Sequence, residues 1–161
     1  MSEDLSYEIV CTSPLGIELE KNDCEALAKI ISTHTLSDGE VLFTEGRIDD
    51  SLHVIIRGHL AVTRNTGGGD YITLHILKSG NFAGEMGFVD GKEHSATLRA
   101  VGETEVFSLK RQDLESLVEG NPNLIYQVMR AIIRAVHSNL LRMNQQFVEM
   151  NNYITKEHGR Y

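Results

Sequence analysis

Phe82-Ala83-Gly84-Glu85-Met86-Gly87-Phe88-Val89-Asp90-Gly91-Lys92-Glu93-His94-Ser95-Ala96-Thr97 is the stretch on which the fold of this chain turns. Two glycines bracket a carboxylate, and within about ten residues the segment returns to an alternating run, Ala96, Leu98 and Ala100. Such a segment predicts one helical turn set between two strands. Glycines lacking a Cβ let backbone N–H groups approach an anion, and the start of a short helix adds a favourable dipole. Gly-Glu-x-Gly alone is a common turn, so its meaning comes from what surrounds it.

On both sides, from about Thr35 to Leu109, the hydrophobic period is two. Leu52, Val54 and Ile56 alternate with Ser51, His53 and Arg57; Leu60 with Val62, and Ile72, Leu74 and Ile76, continue the pattern. The turn signals between the runs are Asp38-Gly39, Glu45-Gly46, Arg57-Gly58, Gly67-Gly68-Gly69-Asp70, Ser79-Gly80 and Asp90-Gly91. Regular short strands of this kind predict a sandwich, barrel or jelly roll. The apolar members of each run are expected to face inward, leaving His53, His59 and His75 outward. The triple glycine reads as a mobile hairpin tip without functional meaning.

Outside this region the period is helical. Leu19, Leu27, Ala28, Ile30 and Ile31 predict a short helix within 17–31, with Asn22 or Asp23 as caps, and Arg111–Glu119 predicts another. After the break at Gly120-Asn121-Pro122, Asn121 as cap and Pro122 at the first helical position open a helix with no breaker until about Tyr153. Along it Tyr126, Met129, Ile133, Val136, Leu140, Met143, Phe147, Met150 and Ile154 are spaced by alternating steps of three and four, an unbroken heptad. Val128, Ile132 and Ala135 form a second apolar flank suited to packing on the strands. Beyond Leu141 polar residues (Arg142, Asn144, Gln145, Gln146, Glu149) surround a narrow seam, which predicts a parallel homodimer.

Composition narrows the possibilities. One domain fits 161 residues, and 41% hydrophobic with 24% charged residues suits a globular protein. A net charge of −8 argues against a chain that coats nucleic acid, while leaving room for a local anion pocket. Cys11 and Cys24 have no metal or redox spacing and suit a reduced, cytoplasmic protein; no apolar run approaches the ~18 residues of a membrane span. No His-x-His metal motif occurs, and no serine or cysteine has an arguable base beside it, so the chain is expected not to be an enzyme.

Taken together, these residues resemble the cyclic-nucleotide-binding domain family, most closely its branch of bacterial catabolite activators and anaerobic regulators. The resemblance covers about Leu36 to Ile154: Gly39-Glu40-Val41-Leu42-Phe43 followed by Glu45-Gly46, then Val54, Ile56, Gly58, Leu60 and Val62, the 82–97 stretch, and Asn121-Pro122. It implies a mainly β jelly-roll-like β-roll with flanking helices in residues 1–120, a dimerisation helix in 121–155 and a tail in 156–161. It also implies cyclic AMP or cyclic GMP as ligand, with no cofactor or metal. The ligand-binding set it implies is Phe82, Ala83, Gly84, Glu85, Met86, His94, Ser95, Ala96 and Asn139. Glu85 would accept from the ribose 2′-hydroxyl, the amides of Gly84, Glu85 and Ala96 with the Ser95 hydroxyl would meet the cyclic phosphate, and Asn139 would meet the base.

His94 stands where the family pattern places an arginine that pairs with the phosphate. A histidine substitutes only when protonated, so the resemblance implies weakened affinity that rises as pH falls. The alternative is a ligand-independent dimeric scaffold that recruits a partner. Only Thr155–Tyr161 follow Ile154, too few for the DNA-reading motif of the related regulators, and direct nucleic-acid binding is not expected.

Overall fold

The computed structural model describes residues 3–158, with side chains described for residues 4–156. Its elements run α1 (Glu3–Thr12), α2 (Lys21–Ala28), β1 (Ile31–Leu36), β2 (Val41–Phe43), β3 (Ser51–Gly67), β4 (Asp70–Lys78), β5 (Phe82–Ala83), α3 (Glu85–Asp90), β6 (Thr97–Lys110), α4 (Arg111–Glu115) and α5 (Pro122–His158). The two long strands β3 and β6 pair antiparallel and form the spine. β1 and β2 pair with successive parts of β6, while β5 and β4 do the same along β3. Register shifts between Ile55 and His59 carry the spine past a bend. This is the antiparallel β-roll with flanking helices that the sequence predicts.

The spine separates two apolar clusters. Leu52, Val54, Phe107 and Leu109 pack against the helices, with Val10, Leu27, Leu124, Val128 and Ile132. Ile55, Leu60, Leu98 and Val106 turn the other way into the roll, with Leu36, Phe43 and Leu77. Leu52 through Ile55 are therefore buried without interruption, because this stretch of β3 is covered on both faces.

That double coverage corrects several expectations. His53 is not a surface residue: it is 6% exposed and points to the same side as Ile55. His59 is exposed as expected and His75 is half-buried. On the edge strand β4 the assignment inverts, since Ile72, Leu74 and Ile76 are exposed while Leu77 is buried. Leu77 pairs with the buried Leu60 of β3 and shares its face, which places Ile76 and the residues two and four before it on the other face of this edge strand. The helix expected within 17–31 is shorter, since Ile31 already belongs to β1, and its N-cap is Glu20 rather than Asn22 or Asp23. α1 was not anticipated, and the helix predicted at Arg111–Glu119 closes at Glu115.

The glycines at 67–69 close the β3–β4 hairpin: Gly67 pairs with Asp70, and Gly68 and Gly69 adopt φ of 68° and 89°. Two consecutive positive φ angles match the strand twist in a two-residue hairpin, which favours glycine at both positions. α5 extends through residue 158, past the expected end near Tyr153; of the tail predicted at 156–161, residues 159–161 lie outside those described. Of the second apolar flank, Val128 and Ile132 are buried against the domain and Ala135 is half-buried beside them; Ala131 is buried with them. Arg134 anchors the next turn with two hydrogen bonds to Glu18, one of 2.7 Å from Nη2 to Oε2.

Candidate functional site

The short helix α3 starts from Gly84, which adopts φ +78° and whose missing Cβ would lie 2.9 Å from the Ser51 carbonyl oxygen. A Cβ on Gly87 would lie 2.8 Å from the Asp49 carbonyl and 3.2 Å from the His94 ring. The helix thus lies directly on the start of β3, which only glycine permits at these two positions. Phe88 fastens it from beneath, 2% exposed in the cluster that holds Leu124 and Val128. After Gly91 the chain is tied to the 44–47 loop: the His94 N–H donates to the Arg47 carbonyl at 2.9 Å and the Gly46 N–H to the His94 carbonyl at 2.9 Å.

Between α3, β4 and α5 lies a cavity of about 800 Å³. Phe82, Ala83, Gly84, Glu85, Met86, His94, Ser95, Ala96 and Asn139 all line it, so the structure brings together every residue singled out from the sequence. Asn139 on α5 donates to Glu85 Oε1 at 3.1 Å. Burial raises the Glu85 carboxyl above its ordinary value, opposed by hydrogen bonds from its own backbone N–H and from Asn139. Ser95 is exposed at the rim, and Met86 is 56% exposed. Sequence reasoning did not single out His75 on β4 or Arg142 on α5 as site residues, though both line the same cavity. Arg142 is three residues beyond Asn139, a spacing that places both on one helix face and was available as a signal.

His94 departs from its expected role. Its side chain is 5% exposed and stacks on Phe43 with ring centroids 3.7 Å apart. Nε2 lies 3.7 Å from Asp49 Oδ2, too far for a hydrogen bond, and is buried without a partner. Burial lowers the pKa of His94 below the ordinary value and outweighs the nearby carboxylate. Asp49 is committed elsewhere: it accepts from His53 Nε2 at 2.9 Å, and His53 Nδ1 is hydrogen-bonded to the Ser108 hydroxyl at 2.7 Å. Against the cost of burial, the His53 hydrogen bond and charge and the Ser51 N–H hold the Asp49 carboxyl at about 2. Ser108 is buried in the sheet, and the two hydrogen bonds tie β6 through His53 of β3 to Asp49 just before it.

A lowered His94 pKa fixes the direction of a pH effect. Below about pH 6.5 the unfolded chain takes up a proton that the folded protein resists, so His94 costs stability as pH falls and costs none above that range. Comparing thermal unfolding of wild type and His94→Phe at pH 7.5 and 5.5 isolates this residue. Wild type should lose ground relative to the variant at pH 5.5. A gain would mean that the folded protein holds His94 protonated.

Residues 33–121 match the cyclic nucleotide-binding domain family. The chain belongs to that family. The cyclic AMP receptor protein of Thermus thermophilus is 26% identical over 143 residues, covering 88% of this chain and 66% of that relative. The cAMP-dependent protein kinase regulatory subunit of Dictyostelium discoideum is 28% identical over 102 residues, covering 62% of this chain and 31% of that relative. The chain thus spans between about a third and two thirds of these curated relatives. A cyclic nucleotide-binding domain of Methylobacillus flagellatus superposes with a TM-score of 0.83 at 20% identity, covering 91% of this chain and 85% of the other, a likeness of fold. Within the family, the match ends where α5 begins, so the heptad lies beyond it.

Proposed function

We propose that this protein is a cyclic-nucleotide-binding regulatory module that works as a homodimer joined along α5. The observation that carries the binding half is the cavity beside Glu85, where the nine residues expected to hold the ligand converge. In this reading Glu85 accepts from the ribose 2′-hydroxyl, the amides of Gly84, Glu85 and Ala96 with the Ser95 hydroxyl face the cyclic phosphate, and Asn139 meets the base. The preferred nucleotide is cyclic AMP or cyclic GMP. The dimer half is supported by α5, where Tyr126, Ile133, Leu140, Met143, Phe147, Met150 and Ile154 stand exposed at heptad spacing.

Calorimetric titration with cyclic AMP, cyclic GMP and AMP tests the binding half directly. Glu85→Gln keeps the shape and removes the charge, so the 2′-hydroxyl contact should weaken by about 1.5–3 kcal/mol, ten- to more than a hundredfold in Kd. Affinity unchanged in that variant would remove Glu85 from the ligand contact.

One observation favours a second reading. Asn139 gives the Glu85 carboxylate a hydrogen-bond partner within the chain, so a buried carboxylate here is no sign by itself of a ribose partner. A ligand-independent dimeric scaffold would use the same bond as a fixed strut between α3 and α5. Absence of heat from all three nucleotides with a stable wild-type dimer would select the scaffold.

A further inference from the structure

We propose that Arg142, reaching the cavity from α5, supplies the positive charge for the phosphate of a bound cyclic nucleotide that the 82–97 segment lacks. The inference rests on the binding reading above and adds a residue that the family pattern does not assign. His94 is poorly placed to serve, because its ring is buried against Phe43 and burial disfavours its charged form. The cavity wall also carries Glu85, Asp90 and Glu93, so an anion entering it needs a cation from somewhere.

Three permanent cations line the cavity: Arg64, Lys92 and Arg142. Arg64 is already neutralised, with Nε and Nη2 donating to Glu45 Oε1 at 3.2 and 3.0 Å. Lys92 is 81% exposed on its loop, with Asp90 at 3.7 Å. Arg142 forms no ion pair among the described residues; its one hydrogen bond, to Gln146 Oε1, is 3.4 Å long. It is half-buried, one helical turn beyond the Asn139 that touches Glu85. Its charge also reaches across to β4, where it joins burial in lowering the pKa of His75. A guanidinium so placed keeps its charge at any neutral pH and offers paired donors to a phosphate.

Titration of wild type, Arg142→Gln and Arg142→Lys with cyclic AMP, cyclic GMP and adenosine tests the proposal, with circular dichroism confirming that α5 is intact. Arg142→Gln should weaken both cyclic nucleotides equally, by ten- to a hundredfold, and leave adenosine binding unchanged. Lysine should recover part of the loss. Unchanged affinity in Arg142→Gln, while Glu85→Gln loses binding, overturns the role of Arg142 and leaves the site standing. A loss confined to one of the two cyclic nucleotides also overturns it, because the contact is then to the base. No binding by wild type overturns the site and this inference together.

Discussion

Phe147→Glu combined with Met150→Glu will leave the protein monomeric in light scattering at concentrations where wild type is a dimer. Phe147 is 61% and Met150 55% exposed on the single chain, and no described side chain between residues 143 and 156 is buried by the chain's own domain. Burying each contributes roughly 1.5–3 kcal/mol, and a two-fold dimer buries four of them, on the order of 6–12 kcal/mol. That corresponds to more than four decades in Kd before the repulsion of the added carboxylates is considered. The β-roll should melt as before, because neither residue touches it. A double variant that stays dimeric would place the interface elsewhere, and a chain ending at Asn139 would then be dimeric as well.

Phe88→Ala should cost about 3–5 kcal/mol of stability, a fall in Tm on the order of 10 °C for a domain of this size. Phe88 is the apolar side chain that ties the six-residue helix α3 to the core beneath it. A helix of that length has no stability of its own, so losing the anchor loosens the glycine turn above it. Nucleotide affinity should fall together with Tm, although Phe88 does not line the cavity. Calorimetric melting and titration of the same sample check both. A melting point within a degree or two of wild type would show that α3 is held by its backbone contacts alone.

The fold was largely legible because its two informative signals are local. Glycines at 84 and 87 and the spacing of the α5 heptad are patterns within a short window, and they predicted both the site wall and the exposed seam. What escaped depends on neighbours distant in sequence. The burial of His53 follows from Asp49 and Ser108, the latter on a strand that pairs with β3 from more than fifty residues away. The faces of β4 follow from the pairing of Leu77 with Leu60 on β3, which a count of alternating residues within β4 does not show. His94 was recognised as the departure from the family pattern, yet its stacking on Phe43 required the 44–47 loop to be in place. In the sequence Arg142 is a lone arginine on a polar helix face, indistinguishable from a solvated residue; the cavity opposite it is formed by distant segments.

The hydrogen bond from Asn139 to Glu85 joins the wall of the cavity to the helix that carries the seam. In the proposed dimer, occupancy and assembly would then be linked quantities. A ligand hydroxyl arriving at Glu85 either shares that bond or breaks it, and the two results leave α5 held differently. Whatever free energy separates them must appear twice with equal size, once as a change in dimer affinity on binding and once as a change in ligand affinity on dimerisation. Protein concentration therefore belongs among the variables of every titration of this molecule: curves taken at dilutions spanning the dimer Kd superimpose only if that free energy is zero.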